Sequence, residues 1–472
     1  MRTSLDFFEN GDYPSIRRQI DRLPRRRAPQ RLQPFNAHHE DDIVTASAHS
    51  PITTVDDTLA SLLHRDAVDW PTLHARYGPL LELVRVIIGV VPNCDRYLEI
   101  WPPAFRTYNL LVPNLLNLPF TILGFGSAPK EIVGMGMYVA SRAAECPYCS
   151  AHTCSFALRR GASPEKMAQA LVGGSTFTPE ELATVAVARS LARIPCELID
   201  PERQALIHSV GAVAAEWIVL GVVVMGFLNK FMDAISVELE ASAAAEVVST
   251  MGANFSLGKA GRALDAARLE APPQPDSLFK KLSTLRYVPA ALRLDRQWQR
   301  GTPDTWPAVG DYLLEKTGHD FPVLSRLRNR RAIRAIASAL LTNLDATTTL
   351  IGLEMKVLAG VIFAIVIKDE ALAAELRQLG ARHGVSNDEC TSAAEFAADA
   401  ELEPPASEPK VRAAWYLARA VSPSPAAVTH DVVQICRDSG LSAAAIVELV
   451  TWVSVLQMLH RVSAFFINQR LA

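Results

Sequence analysis

Two helix-start signals constrain the fold of this chain most strongly. Ser163-Pro164-Glu165 and Thr178-Pro179-Glu180-Glu181 each place a hydroxyl residue before a proline, as at the N-cap and first position of a helix. The second signal adds the glutamate of a capping box. Gly161 suits the left-handed residue that ends a preceding helix. Because β-hairpin signals are sparse, we predict an all-α fold.

The bulk composition narrows the function classes. A length of 472 residues favours two to three domains. The formal net charge of -3 argues against nucleic acid as the main partner. Seven cysteines form an odd, irregular set, which favours a reducing, cytoplasmic setting. The most apolar run, Trp217 to Leu228, covers roughly 12 residues and is too short to cross a bilayer. We therefore expect a soluble cytoplasmic protein with no membrane partner.

Composition shifts divide the chain into four parts. Residues 1–55 are polar and predict an N-terminal arm. Residues 56–257 predict the first helical domain. A Pro-rich linker follows at 258–277, marked by Ala271-Pro272-Pro273-Gln274-Pro275. A second helical domain is predicted at 278–472.

The two helical parts have the pattern of a tandem duplication. A shift of 223 residues places Glu354 on Glu131 and Arg382-His383-Gly384-Val385-Ser386 on Arg159-Arg160-Gly161-Ala162-Ser163 without a gap. In that register Asp369, Leu372 and Glu375 fall on Cys146, Cys149 and His152. We predict a degenerate second copy that has lost the dithiol and supplies a partner surface, as self-association would in a one-domain relative.

The segment Cys146-Pro-Tyr-Cys149-Ser-Ala-His152 has the composition of a redox site. Residues three apart share one face of a helix, so the two thiols and the imidazole form one stripe. The thiolate is the reactive species, and His152 can take the proton of Cys149 directly or through one water. A CxxC pair also occurs in zinc sites, but no second pair of ligands follows at a suitable spacing. Inert buried thiols are the other alternative. The remaining cysteines are interpreted as core fillers; they are Cys94, Cys154, Cys196, Cys390 and Cys436.

Three segments together resemble a known family. They are Lys130-Glu131-Ile132, the Cys146-Pro-Tyr-Cys149-Ser-Ala-His152-Thr153 motif, and Arg159-Arg160-Gly161-Ala162-Ser163. This combination resembles the AhpD-like / carboxymuconolactone decarboxylase family. The later helix from Glu216-Trp217-Ile218 to Phe227-Leu228-Asn229 is similar to that family's closing helix. The resemblance covers about residues 60–255 well and 280–472 weakly.

The resemblance implies an all-helical fold and alkylhydroperoxidase activity on hydroperoxides. It makes Cys149 the peroxidatic cysteine, Cys146 the resolving cysteine, and His152 a base or proton relay. The sulfenic acid formed on Cys149 then condenses with the Cys146 thiol. No bound cofactor or metal is implied; an external dithiol, such as a protein-bound lipoyl group, reduces the disulfide.

The chain departs from the family pattern at two positions. The family histidine commonly stands where this chain has Thr153, and the family glutamate where it has Gly134. Glu131 lies one turn earlier, displaced on an ideal helix by about 60° and 4.5 Å. Glu131 is therefore either a carboxylate that orients His152 or one that complements the helix dipole. Glu145, beside Cys146, would raise that thiol's pKa, which suits a resolving cysteine.

Weaker candidates are interpreted as structural. Glu216 lies within an apolar helix and is more readily a rim or buried, paired carboxylate than a site residue. Tyr148 shapes access to the thiols or simply packs. His208 and His460 sit on apolar helices without ligand-spaced partners, which favours structural histidines.

Two further function classes stay open, together with one prediction about assembly. A decarboxylase or other lyase acting on a small organic acid or lactone would need glutamate and histidine but no thiol. A non-enzymatic helical module would need neither the thiols nor the glutamate and histidine. The apolar segments from Val219 to Phe227 and from Val447 to Leu459 predict a homo-oligomer, because one small domain could not cover them.

Overall fold

The chain is described from a computed structural model covering residues 58–123, 128–171, 176–251 and 278–466. Within these ranges the regular structure consists of helices and contains no β-strand, so the all-α prediction is confirmed. The predicted N-terminal arm at 1–55 and linker at 258–277 lie outside the described residues. All described residues belong to one compact unit.

Helices occupy most of the described part of the chain. In chain order they are α1 (Leu59–Leu63), α2 (Trp70–Ile88), α3 (Cys94–Leu98), α4 (Pro102–Leu115), α5 (Phe120–Leu123), α6 (Lys130–Ala143), α7 (Pro147–Arg159), α8 (Pro164–Gln169), α9 (Pro179–Ala192), α10 (Asp200–Val210), α11 (Ala212–Ile235), α12 (Ala241–Met251), α13 (Leu278–Leu285), α14 (Val288–Trp298), α15 (Ala308–Thr317), α16 (Arg330–Asn343), α17 (Leu353–Val366), α18 (Glu370–Arg382), α19 (Asn387–Ala398), α20 (Pro409–Val421), α21 (His430–Ser439) and α22 (Ala443–Phe465). A short 3₁₀ helix, Pro322–Arg326, precedes α16.

The predicted helix starts are present. The Ser163 hydroxyl accepts a hydrogen bond from the Lys166 amide at 3.3 Å and caps α8. The Thr178 hydroxyl accepts from the Glu181 amide at 3.3 Å, and the Glu181 carboxylate accepts from the Thr178 amide at 2.7 Å. This reciprocal pair is the capping box of α9. Gly161 has a φ of +100°, as expected of a residue that follows a helix end.

Helices α11 and α22 form the centre of the fold. Their mutual contact is the most extensive between two helices in the described part of the chain. Gly226 permits the close approach, because a Cβ there would lie 3.1 Å from the Gln457 carbonyl oxygen and the Met458 Cα. Arg461 of α22 is fully buried and donates to the Val222 carbonyl of α11 at 3.0 Å. The C-terminal part of the chain therefore covers the apolar face of the N-terminal part.

The central helices alter two predictions about apolar segments. The run from Trp217 belongs to a helix of 24 residues, not an isolated stretch of about 12, so its length does not argue against a membrane. By length and composition, α11 and α22 are the described helices that could cross a membrane, but 78% and 89% of their most apolar stretches are buried inside the protein. That burial is consistent with a soluble protein. It also removes the reason for expecting a homo-oligomer, because the two apolar faces cover each other. Oligomerisation itself stays a prediction.

The helix boundaries repeat along the chain. The shift of 223 residues maps α6 onto α17 and α7 onto α18 at both ends. Glu145 and Lys368, which precede the second helix of each pair, have φ of 54° and 61°. Further on, α9, α10 and α11 correspond in order to α20, α21 and α22. The order and lengths of these helices are thus repeated, whereas the predicted two-domain arrangement with its boundaries stays a prediction.

Candidate active site

The two motif cysteines lie at the N-terminus of α7. Cys146 is the N-cap residue, and its Sγ accepts a hydrogen bond from the Cys149 amide at 3.4 Å. Pro147 occupies the first helical position, where a missing N–H costs nothing. Cys146 is 0% and Cys149 4% exposed, and both are free thiols. The Cys146 side chain also contributes to the raised pKa of the Cys149 thiol, so the two side chains interact.

A cavity of about 140 Å³ opens onto this helix end. Side chains of α2, α4, α7, α11 and α14 form most of its wall, and most of them are apolar. Cys149 and His152 line the cavity, whereas Cys146 does not. The second cysteine of the motif is therefore the one that a molecule in the cavity would meet.

His152 is paired with a carboxylate that the sequence did not indicate. Its Nε2 lies 2.8 Å from Oε2 of Glu240, a residue 88 positions further along the chain. Glu240 immediately precedes α12. Its Oε1 accepts hydrogen bonds from the Tyr148 hydroxyl at 2.9 Å and from the Asn93 amide. The Tyr148 and His152 rings lie against each other with centroids 4.6 Å apart. Tyr148 thus helps to hold the pair as well as lining the cavity.

The contacts of Glu240 keep it ionised. Burial opposes ionisation, but the charge and hydrogen bond of His152, together with the Asn93 amide, outweigh burial and lower the pKa of Glu240. An ionised carboxylate bonded to one ring nitrogen fixes the orientation of the imidazole and stabilises a proton arriving on it. Within the described residues no direct hydrogen bond joins His152 to Cys149, so proton exchange between them requires a bridging molecule or a small shift.

The environment of Cys149 favours the neutral thiol. Burial is the main cause that raises its pKa well above the ordinary value, and the hydrogen bond and charge of Cys146 add to it, followed by Cys94 and Asp233. A base must therefore remove the proton of Cys149, as predicted, because only the thiolate attacks.

Glu131 is not the carboxylate that orients His152. It stands in the first turn of α6, half-buried and away from the cavity wall. This position agrees with the other alternative, a carboxylate that complements the helix dipole. The family position, Gly134, has no room for a side chain, because a Cβ there would lie 2.7 Å from the Cα of Ala157. Helices α6 and α7 pack too closely at this point, and Glu240 provides the carboxylate from the opposite side.

Cys94 is more than the core filler that we predicted. It is buried, as expected, but it lines the same cavity as Cys149. Burial, then the charges of Asp95 and Glu240, raise the pKa of its thiol, while the nearby Tyr148 side chain opposes the rise. Only its position just after Asn93, whose amide binds Glu240, brings it to the site. No motif in the sequence indicates that proximity.

Apart from Tyr148, the weaker candidates lie outside the cavity. Glu216 is buried and accepts hydrogen bonds from the Arg328 and Asn329 amides, each at 2.9 Å, so the paired alternative is correct. Burial raises its pKa. His208 and Glu145 are exposed on the surface.

The segment that the shift of 223 residues aligns with the cysteine motif also has a helix cap, but its side chains differ in chemistry. Asp369, aligned with Cys146, caps α18 by accepting from the Leu372 amide at 3.0 Å. Asp369 Oδ2 also lies 2.6 Å from His460 Nδ1, so His460 has a carboxylate partner that the sequence did not indicate. Glu375, aligned with His152, has a pKa raised to about 7 by burial and by the charge of Asp369.

No group of three or more His, Cys, Asp or Glu residues suited to a metal ion occurs among the described residues.

Comparisons of this chain with known proteins found little similarity. No protein-family model matches the chain, and no curated protein matches it. Two solved structures are similar over part of it, both of the debrominase Bmp8. The apo crystal structure is 20% identical with a TM-score of 0.35, covering 39% of this chain and 96% of Bmp8. A cysteine-to-alanine variant in complex with 2,3,4-tribromopyrrole is also 20% identical with a TM-score of 0.35, covering 43% and 100%. Neither likeness is close enough to carry an argument about function.

Proposed function

We propose that this chain is a thiol-dependent peroxidase that reduces organic hydroperoxides, with Cys149 as the nucleophile and Cys146 as the resolving thiol. One observation carries the proposal. Cys149 faces an apolar cavity, its neighbour Cys146 lies behind it, and His152, held by Glu240, stands in the same wall. Substrate access to one sulfur and contact between the two sulfurs are what a dithiol cycle needs.

The cycle has three balanced steps. The Cys149 thiolate attacks the outer peroxide oxygen; the O–O bond breaks, and the alcohol leaves after taking up a proton. The sulfenic acid on Cys149 then condenses with the Cys146 thiol to form a disulfide and water. An external dithiol, such as a lipoyl group, reduces this disulfide and is itself oxidised. A reducing cytoplasmic location fits this cycle, since the thiols must be returned to the free state.

The His152–Glu240 pair supplies the missing base. Because burial raises the pKa of Cys149, little thiolate exists at neutral pH until a base removes the proton. His152 borders the cavity with Nε2 held by ionised Glu240, which leaves Nδ1 to receive that proton through a water or the substrate itself. The same proton can then pass to the departing alkoxide.

The cysteines provide the test. Purified protein is mixed with cumene hydroperoxide and dihydrolipoamide, and hydroperoxide loss is followed. Cys149→Ser should abolish turnover, whereas Cys146→Ser, mixed with hydroperoxide without the dithiol, should consume about one equivalent and form a sulfenic acid that dimedone traps at Cys149. Cys196→Ser, a half-buried cysteine outside the cavity, is the matched control and should turn over normally. Unchanged turnover by Cys149→Ser contradicts the proposal.

A lyase is the second candidate, favoured by the hydrogen bond of Glu240 to His152, which lines the cavity. Acid–base chemistry on a lactone or keto acid would use that pair and no thiol. A double variant, Cys146→Ser with Cys149→Ser, separates the candidates. Lactone or keto-acid turnover that survives in the double variant, without peroxidase activity in the wild type, would select the lyase. If neither activity is found and Cys149 resists iodoacetamide, the non-enzymatic module is the remaining class.

A further inference from the structure

The cavity has two chemically different ends, and helix α4 runs from one end to the other. Tyr108 lines the end that holds the thiols, where its pKa is raised by burial and by Cys94, Asp95 and Cys149 in turn. Asn114, six residues further along α4, donates a hydrogen bond to Asp295, which lines the other end. At 1.5 Å per residue the two ends are about 9 Å apart.

The far end is built by the C-terminal part of the chain. Helix α14 lies against α2 and α4 and lines the cavity with Val288, Ala291, Leu292, Asp295 and Trp298. Arg331 of α16 lines it as well. The cavity is therefore incomplete without residues that follow the predicted linker, although the thiols and His152 precede it.

The polar groups at this end include an acceptor that has no partner. Arg331 already donates to Asn114 Oδ1 at 2.6 Å, Asn117 Oδ1 at 3.1 Å and the Leu118 carbonyl at 2.6 Å. Asp295 Oδ1 accepts from the Asn114 side chain at 2.8 Å and from Gln299 at 2.6 Å. Asp295 Oδ2 makes no hydrogen bond among the described residues. It is the oxygen that a ligand can reach.

We infer that Asp295 recognises a hydroxyl group on the substrate, at the end opposite its hydroperoxide. This inference rests on the proposed peroxidase function and adds the substrate class, an apolar medium-chain hydroperoxide that carries a hydroxyl group. The Arg331 charge lies beside Asp295, so the site is close to neutral and favours an uncharged donor over an ammonium group. The apolar wall between the ends excludes a polar linker.

The cavity volume sets the size of that substrate. One water needs about 10–15 Å³ of such space, so a cavity of about 140 Å³ holds a ligand of roughly ten non-hydrogen atoms. Hydrogen peroxide is much smaller and would leave the Asp295 end unfilled.

Binding of two matched probes tests the inference without relying on turnover. 1-Octanol and 2-octanone have the same number of non-hydrogen atoms, but only the alcohol donates a hydrogen bond. Titration calorimetry should show the wild type binding 1-octanol about tenfold more tightly, the effect of one hydrogen bond. In Asp295→Asn, Oδ1 can keep its bonds to Asn114 and Gln299 while an amide donor replaces Oδ2. The preference should then disappear or reverse in favour of the ketone.

Two further variants keep the result interpretable. Asp295→Glu retains the carboxylate and should retain the preference for 1-octanol. Asp311→Asn removes an exposed aspartate outside the cavity and should leave both affinities unchanged. Equal binding of the two probes by the wild type, or a preference that persists in a folded Asp295→Asn variant, overturns the inference. If the wild type prefers 1-octanol but turns over no hydroperoxide, only the peroxidase function is refuted.

Discussion

Glu240 holds His152 across 88 residues of sequence, with 2.8 Å between Oε2 of the carboxylate and Nε2 of the ring. The carboxylate stands just before α12, and the ring stands on α7. Asn93 and Tyr148 fix the other carboxylate oxygen, so neither partner is free to turn. Glu240 therefore fixes the position of His152 in the cavity wall that also holds Cys149, and its replacement is the most direct probe of the site.

Glu240→Gln should lower kcat/KM for cumene hydroperoxide about ten- to hundredfold, because the imidazole loses the charge that stabilises an incoming proton. Steady-state kinetics with dihydrolipoamide measures the change. Glu238→Gln, an exposed glutamate two residues earlier, is the matched control and should behave as the wild type. Wild-type kinetics in Glu240→Gln would exclude the pair from the reaction.

Alkylation of Cys149 should depend steeply on pH. Burial, the neighbouring Cys146 and further charges raise the pKa of Cys149, so the thiolate fraction grows about tenfold per pH unit throughout the neutral range. Iodoacetamide labelling, with the modified peptide quantified by mass spectrometry, should accelerate from pH 7 to 9 without levelling off. Protein unfolded in urea serves as the reference and should level off above about pH 8.5. A plateau below pH 8 in the folded protein would contradict the assignment.

A glutamate introduced at position 134 should damage the fold rather than the chemistry. Gly134→Glu forces a Cβ to within 2.7 Å of the Ala157 Cα, and overpacking of this kind costs about 1–3 kcal/mol or more. Thermal unfolding should show the loss. Gly78→Ala, at a glycine of α2 with no atom within 4 Å of the added Cβ, should be neutral or slightly stabilising. If Gly134→Glu is as stable as the wild type, the close packing of α6 on α7 is wrong.

The buried ion pair of Lys356 and Glu448 should be costly to break. Both side chains are 0% exposed and their charged atoms are 2.8 Å apart. Lys356→Met should lower the free energy of unfolding by about 3 kcal/mol, because the buried Glu448 charge then keeps only neutral hydrogen-bond donors. Lys316→Met, which breaks an exposed pair with Glu315, should change it by less than about 1 kcal/mol. Urea denaturation compares the two, and equal effects would argue against a buried pair.

Glu375 should make stability fall as the pH rises from about 4.5 to about 7. Its pKa in the folded state is about 7, raised by burial and by Asp369, so the folded protein binds more protons than the unfolded chain in this window. The free energy of unfolding therefore decreases with pH there and levels off above it. Glu375→Gln should gain about 1 kcal/mol at pH 8, a figure reduced for partial solvent exposure, and little at pH 4.

The control for this titration is Glu370→Gln, an exposed glutamate in the same helix. Its profile should follow that of the wild type at every pH. If Glu375→Gln also follows the wild type, the neighbourhood of Asp369 and Glu375 is more open to solvent than the structure has it.

Local sequence patterns determined the secondary structure and the arrangement of the thiols. Thr178 and Ser163 start helices where predicted because capping involves only the next three residues. Cys146, Cys149 and His152 are spaced three apart, and two of them reach the same cavity for the same local reason. Local patterns also account for the repeated helix boundaries, since a shift of 223 residues preserves the signals that end α6 and begin α7.

Only the tertiary structure decided which groups surround those thiols. Glu240 rather than Glu131 pairs with His152 because α6 packs on α7 at Gly134 and leaves no space on that side. Cys94 and Asp295 enter the cavity wall from helices distant in sequence, and α22 covers the apolar face of α11. Capping and helical spacing act within a few residues, whereas these contacts depend on how whole helices pack. That packing is a property of volume and burial over the entire chain, which no short motif encodes.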